Sequence, residues 1–500
     1  MRVRLIRKLY PFWRGFSNIS SSNSESSTPN SNPFYLFVGG TTLPFSVEPD
    51  LDFRDRLSDL SSLKRLLESR GYDIDRKFGD LKLLSEKYNR WYEMASTFDH
   101  IYTKDRVKEM ASKNLPNNHT EEYKTYLEAA KKLAQLEQDV IVTCLHLPAD
   151  LDPWTPIGEK ADRLSTFIRG RRVDGDLRDT PLDHGISHMQ ILNTKQKKRP
   201  LIEFKNDPPQ CFLLGSAARL LQNLEKFFAK ALYQLQYRRV SPTHFFRSAM
   251  IEAYFGCSID SESDPYFIPI ESLHGEKGID TSWALNLGGH GPSPYLAWFT
   301  RKKLGQKNSF PLKFFSHGMS YSGKYLDGKR WANMPWKDWN LFHFPTQRPR
   351  VTMLIIFEKE EQLDMVNQVK TTIQDLLSNL QLSFTIDQQP SYRLIMSEMS
   401  RFDFTVFSEN QSNSSIRLAS VANHGDFLFR RIRLMLDRRG WPQLTSKYPK
   451  CCYAEIDLFA VLARLYEEVF SKAGKESQCD SGWWPSALRG DAWRQKILEP

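Results

Sequence analysis

Residues 74–101, IDRKFGDLKLLSEKYNRWYEMASTFDHI, set apolar side chains at Ile74, Phe78, Leu81, Leu84, Tyr88, Trp91, Met94, Phe98 and Ile101, in steps of four and three with charged residues between them. That is the spacing of one face of an α-helix. Carried on to Lys113, the pattern predicts a single helix roughly 60 Å long, whose apolar stripe needs a cover. The cover comes next in the chain. Asn114-Leu115-Pro116-Asn117-Asn118 has turn composition, and Tyr123, Leu127, Ala130, Leu133, Leu136 and Val140 resume the same spacing. Residues 50–146 therefore read as a helical arm, an antiparallel coiled-coil hairpin. A shorter helix through Leu57, Leu60, Leu63, Leu66 and Leu67, closed by Gly71, precedes the hairpin.

Upstream, residues 1–32 carry Arg2, Arg4, Arg7, Lys8 and Arg14 with no acid before Glu25, then turn Ser/Asn-rich. This composition predicts a disordered mitochondrial presequence and a matrix location. Downstream of Leu147-Pro148 the long helical period stops. Short β-like runs at 312–321, 339–344 and 351–357 alternate with a helical run at 360–380. Residues 147–500 thus read as an α+β domain built on a largely antiparallel sheet.

Composition sets the outer limits. Across 500 residues, 40% are hydrophobic and 26% charged, which excludes a disordered or fibrous chain, and no apolar run of about 18 residues is present to insert in a membrane. Lys+Arg exceed Asp+Glu by 69 to 59, a net +10 that favours an acidic partner such as nucleic acid. The six cysteines contain no CxxC pair, so reduced thiols are expected, with no bound metal and no cofactor. On the arm, Lys87, Arg90, Lys104, Arg106, Lys108 and Lys113 are answered on the return helix by Lys124, Lys131 and Lys132. These are the RNA-binding candidates, although interleaved acids such as Glu86, Glu93 and Glu109 also fit a solvated coiled-coil face. Gly288-Gly289-His290-Gly291 lacks the strand and helix context of a phosphate-cradling loop and reads as a plain loop. His317, His343 and His424 lack Cys or Glu at ligand spacing and read as isolated histidines rather than a metal cluster.

In order along the chain, these features resemble the seryl-tRNA synthetases. A hairpin arm leads through Leu147-Pro148-Ala149-Asp150-Leu151-Asp152-Pro153 into the body, as in that family. The stretch from Cys211 to Leu232 resembles the class II motif 1 region, which builds the family's dimer interface. Phe310-Pro311-Leu312-Lys313 onward resembles the first motif 2 strand, and Asn423, Asp426, Phe427, Arg430 and Arg431 resemble the signature before motif 3. Pro485-Ser486-Ala487-Leu488-Arg489 resembles the family's closing motif. The resemblance implies a class II synthetase-like antiparallel sheet flanked by helices, and an arm that holds tRNA.

The residues that would perform the family's chemistry are absent at the matching positions. Serine activation needs cations on the triphosphate and a carboxylate for the metal. The motif 2 F-R-x-E falls on Tyr321-Ser322-Gly323-Lys324, so a hydroxyl stands for the guanidinium and a cation for the carboxylate. The motif 3 G-R-T falls on Glu455-Ile456-Asp457, and the metal-coordinating Glu falls on Arg417. No Thr-x-Glu of the serine loop occurs near Gly288. Lys324, Lys329, Arg330 or Arg464 are the nearby cations that could substitute. The resemblance is therefore to a degenerate, insect mitochondrial seryl-tRNA synthetase-like paralogue. It implies a catalytically inactive protein that pairs with the genuine mitochondrial seryl-tRNA synthetase and contacts RNA, including mitochondrial tRNA. Two alternatives stand beside it: a divergent but active mitochondrial serine–tRNA ligase, and a nucleic-acid-associated regulator of mitochondrial gene expression.

Overall fold

The computed structural model describes residues 50, 52–103, 106, 121–173, 187–193, 200–206, 209–247, 250, 253–254, 268–269, 285–305, 310–321, 340–342, 347–358, 362–407, 415–437, 447–473 and 488. The predicted presequence, residues 1–32, lies outside them. The chain divides into two compact units, the first running to Pro148 and the second taking almost all of the chain from Ala149 on.

The first unit is helical: α1 (Arg54–Ser58), α2 (Leu60–Ser69), α3 (Ile74–Lys77), α4 (Leu81–Ile101) and α5 (Glu121–Leu145). Two expected helices are broken. The one predicted from Ile74 to Lys113 stops at Phe78, because Gly79 sits at φ +65° and ends α3 while the Asp80 carboxylate accepts the Lys82 N–H at 2.8 Å and starts α4. A C-terminal glycine followed at once by an N-capping aspartate outweighs the apolar period that runs across them. At 21 residues, α4 is about 31 Å long, half the predicted length. Asp59 divides α1 from α2 in the same way, accepting the Ser62 N–H at 3.0 Å. Gly71 closes α2 at φ +70°, as expected.

α4 and α5 bury an aromatic seam. Tyr88, Trp91 and Phe98 of α4 and Tyr123 and Tyr126 of α5 are all buried, with ring centroids of Phe98 and Tyr126 5.6 Å apart and of Tyr102 and Tyr126 5.0 Å apart. Ile101, predicted on the stripe, is instead 42% exposed at the end of α4.

The second unit is built on a nine-stranded sheet. Its strands and those of three small sheets are, in chain order, β1 (Asp162–Ile168), β2 (Arg171–Val173), β3 (Ile202–Asn206), β4 (Pro209–Leu213), β5 (Arg238–Arg239), β6 (Phe245–Arg247), β7 (Ile268–Pro269), β8 (Leu285–Leu287), β9 (Lys303–Leu304), β10 (Leu312–Tyr321), β11 (Gln347–Phe357), β12 (Phe384–Gln388), β13 (Ser400–Phe407), β14 (Ser415–Gly425), β15 (Met435–Leu436) and β16 (Lys450–Asp457). The large sheet runs β2-β1-β12-β13-β14-β16-β11-β10-β5, antiparallel except for the parallel β10–β5 edge. The helices of this unit are α6 (His188–Asn193), α7 (Gly215–Gln234), α8 (Pro292–Phe299), α9 (Gln362–Asn379), α10 (Phe427–Ile432) and α11 (Leu458–Ala473). The α+β reading holds. The strand expected at 339–344 does not: of its described residues, Leu341 and Phe342 form a buried turn and Asn340 is not in a strand.

Period-two alternation sorts the central strands into two faces. Val351, Met353, Ile355 and Phe357 of β11, Cys452, Ala454 and Ile456 of β16, and Phe402, Phe404 and Val406 of β13 join the core beneath α7, α9 and α11. The linker is pinned to the other end of the sheet by Asp152, which accepts from Asn423 Nδ2 (2.8 Å), Ser400 Oγ (2.5 Å) and Gln362 Nε2 (2.9 Å). Burial raises the Asp152 pKa, and these three donors oppose the rise.

Truncating the largest fully buried side chain of the arm leaves a cavity that the seam cannot close. Trp91→Ala is expected to cost about 3–5 kcal/mol, read as an earlier helical unfolding transition by circular dichroism in urea.

Candidate functional site

The sheet face turned away from α7, α9 and α11 carries charge. Arg350 on β11 donates from Nη1 to Glu455 Oε2 on β16 at 2.7 Å. Arg417 on β14 reaches the other oxygen of Glu455 at 3.2 Å and Asp403 Oδ1 on β13 at 3.9 Å. Arg401 on β13 lies 3.2 Å from the same Asp403 oxygen and donates to Glu398 at 3.0 Å. Three arginines and three carboxylates thus alternate across four adjacent strands and the residue Glu398 just ahead of β13. All but Arg417 are nearly buried, and the side chain of Arg417 is 36% exposed. Burial is the main influence on Glu398, raising its pKa against the pull of Arg401.

The backbone explains how Arg417 joins this lattice. The β13–β14 register shifts between Phe404 and Thr405, pairing Phe404 with Ala419 and Thr405 with Arg417. Leu418 is therefore the extra residue of a bulge, and it turns Arg417 to the face that holds Glu455 and Asp403. Ile456 lies on the opposite face, fully buried under the helices, so no side chain at that position could reach the charged face. Its neighbours do face that way or the edge. Glu455 belongs to the lattice, and Asp457 pairs with Arg348 while accepting the Phe459 and Ala460 N–H groups at 3.1 Å to cap α11.

Arg464 is withdrawn from this face as well. It is buried on α11 and paired with Glu468 at 2.8 Å and Glu467 at 3.4 Å. Ser322, Lys324, Lys329 and Arg330 lie outside the described residues.

The Gly288–Gly291 loop packs along β10. Gly288 and Gly289 donate to His244 O at 3.0 and 3.3 Å, and His290 donates to Met319 O at 2.9 Å, so these N–H groups are already used. The His290 ring lies against Gly318, where a Cβ would meet Nε2 at 2.3 Å. His290 is pushed down to a pKa of about 4 by burial and then by His244 and His317. His424 is elsewhere, fully buried with Nδ1 donating to Ser397 O at 3.1 Å, and burial lowers it to about 4. His343 lies outside the described residues. Among the described residues no group of three or more His, Cys, Asp and Glu could hold a metal.

On the arm, Lys87, Arg90, Lys131 and Lys132 face solvent. Arg106 and Lys124 are exposed but paired, with Glu122 and Glu121, each at 2.7 Å. Lys104, Lys108 and Lys113 lie outside the described residues. No helix among the described residues is long and apolar enough to cross a membrane.

Arg350, Arg401, Asp403 and Glu398 escaped the sequence reading, which named Glu455 only as the position of a motif glycine. The available signal was charge at every second residue, as in Arg401-Phe402-Asp403 and Glu455-Ile456-Asp457.

No protein-family model matches the chain, and no curated protein does. Solved structures do. The seryl-tRNA synthetase of Pyrococcus horikoshii, complexed with ATP, superposes with a TM-score of 0.62 at 15% identity, over 83% of this chain and 93% of that one. The cytoplasmic serine-tRNA ligase of Naegleria fowleri, in complex with AMP, gives 0.61 at 13% identity, over 88% and 96%. The fold is that of a seryl-tRNA synthetase-like class II protein.

Glu455 holds two guanidinium groups, so Glu455→Gln is expected to cost about 3–5 kcal/mol and Arg350→Met less, a ranking that urea unfolding measures. The depressed His424 pKa has a definite sign. The unfolded chain binds the proton near pH 6.5 and the folded chain only near 4, so stability falls as pH drops through that window, by on the order of 3 kcal/mol for this residue. The His424 ring is expected to stay neutral by NMR at pH 5.5, and His424→Gln to flatten the acid limb of the stability curve.

Proposed function

We propose that this chain is a catalytically inactive seryl-tRNA synthetase-like protein of the mitochondrial matrix that acts by binding, pairing with the genuine mitochondrial seryl-tRNA synthetase and contacting RNA in support of mitochondrial translation. One observation carries the loss of catalysis: the arginines of the polar sheet face are already neutralised by Glu455, Asp403 and Glu398. A triphosphate needs cations whose charge is not committed elsewhere. To enter here it would have to displace buried carboxylates from their guanidinium partners, and uncovering a buried charge costs several kcal/mol. The absence of guanidinium groups at Ser322 and Ile456 points the same way. The insect mitochondrial affinity and the matrix location rest on the sequence resemblance and on the basic segment 1–32.

Pairing is supported by apolar surface on the motif 1-like elements. Phe212 (45%), Leu214 (38%), Tyr233 (53%) and Leu235 (45%) are large hydrophobic side chains exposed at the end of β4 and the two ends of α7. These exposed side chains on the motif 1-like elements support the reading of an interface there.

Serine-dependent ATP–pyrophosphate exchange tests the reading. The chain alone is expected to fall at least roughly 10⁴-fold below an active seryl enzyme, given the loss of two transition-state donors. Mixed with the mitochondrial seryl-tRNA synthetase it is expected to co-elute as a heterodimer, and Tyr233→Lys with Leu235→Lys to abolish co-elution. Exchange by the chain alone would overturn the inactive reading in favour of a divergent ligase; a monomer in the mixture would overturn the pairing.

A further inference from the structure

Two helices of the second unit end side by side, and each is followed or closed by an arginine in the left-handed conformation: Arg301 after α8 at φ 60°, and Arg433 at the end of α10 at φ 57°. Glycine or asparagine is the residue that such helix ends favour. Arg169, Gln236 and Gln381 take the same conformation among the described residues, so what distinguishes Arg301 and Arg433 is that they are neighbours. The backbone draws them together. Arg301 N–H donates to Ile432 O at 2.8 Å, Met435 N–H donates to Lys302 O at 3.0 Å, and β9 runs parallel with β15. Leu436 N–H then reaches Lys447 O at 3.0 Å.

The stitching gathers one sign of charge. Arg301, Lys302, Lys303, Arg430, Arg433 and Lys447 lie on these adjoining segments, against the carboxylates of Asp426, which pairs with Arg430 at 2.8 Å, and Asp437. Beside them Trp298, in the last turn of α8, is 41% exposed. Its ring leans on Phe314 edge-on at 5.2 Å and on Phe299 at 4.5 Å, and Lys302 Nζ sits 4.7 Å from its centroid. A half-open indole beside a file of cations is the pairing that single-stranded nucleic acid uses, with bases stacking on rings and phosphates against ammonium and guanidinium groups. An anionic bilayer fits less well, because this ring lies back on two phenylalanines instead of projecting.

We infer that this edge of the body is a contact for single-stranded nucleic acid, with phosphates on Arg301, Lys302 and Lys303 and a base stacked on Trp298 as Lys302 leaves the ring for a phosphate. The contact is additional to the arm lysines. It does not depend on the chain being inactive, since exchange activity and nucleic-acid binding are measured separately.

The experiment is a fluorescence-anisotropy titration of the full-length chain with a fluorescein-labelled 20-nucleotide single-stranded RNA of mixed sequence, and with the same sequence as DNA, at several salt concentrations. It is run in the native arm and in an arm carrying Lys87→Glu, Lys131→Glu and Lys132→Glu. In both backgrounds Lys302→Glu with Lys303→Glu is expected to weaken binding at least about tenfold and to lower the salt slope by about 1.4, two phosphate contacts at about 0.7 each. Trp298→Leu is expected to weaken binding about fivefold or more with the slope unchanged. Arg301→Gly supplies the residue the helix end favours, so it is expected to weaken binding without lowering the melting temperature. RNA bound more tightly than DNA, or the reverse, identifies the source of the strand, and either supports the contact. Affinity and slope unchanged by the double reversal in both backgrounds, with native melting temperatures, would overturn it. So would loss of binding to phosphatidylserine vesicles in that variant while its nucleic-acid affinity stays intact, because the patch would then be a membrane contact.

Discussion

A charge buried on a sheet face has to be neutralised where it stands, since leaving water costs several kcal/mol for each ion and only a close partner returns it. Four adjacent strands of this protein, with Glu398 just ahead of one of them, place three arginines and three carboxylates under that constraint, and the order Arg350, Glu455, Arg417, Asp403, Arg401, Glu398 pairs each with an opposite charge. The arrangement is cooperative. Glu455 serves two guanidinium groups and Asp403 serves two, so no member can move without exposing another. The face therefore behaves as a closed electrostatic unit, and the bulge at Leu418 is what closes it, because an unbulged β14 would turn Arg417 into the helix-side core.

The same rule operates under the helices. Arg464 is buried between Glu467 and Glu468; Glu467 in turn meets His188 Nδ1 at 2.8 Å, and Glu468 accepts the Ser383 N–H at 3.0 Å. Asp152 does for the linker what these groups do for α11. Its three donors come from β13, β14 and α9, so one carboxylate fixes the start of the second unit to elements up to 271 residues away in sequence.

What could be read from the sequence was what has a period. The arm's aromatic seam repeats every three to four residues and survives nearly in place; the β-like runs at 312–321 and 351–357 are strands, the second beginning earlier than expected, at Gln347. The break at Gly79-Asp80 was also visible in the sequence, yet the apolar spacing passes through it undisturbed. Only the cap geometry decides for two helices. The charged lattice was hidden for a different reason. Glu455 at its centre joins residues 38 and 105 away in sequence, and parity along β14 gives the wrong face for Arg417 unless the bulge is known. Ile456 shows the converse: a motif position counted along the chain falls on the core face, where its neighbours Glu455 and Asp457 are the residues with polar work.

The two faces of the sheet differ in how much sequence they require, which fits a shared fold at 13–15% identity. The helix side needs apolar side chains of suitable volume at every second position, a condition that many sequences meet. The other side needs particular groups at particular points, so it can be rebuilt while the backbone stays. In a face designed for a triphosphate, unpaired cations are a cost that substrate binding relieves. In this one the ion pairs supply that relief internally. On the reading proposed here, function then moves to surfaces where charge is still in contact with water: the outward lysines of the arm, and the file of cations beside Trp298.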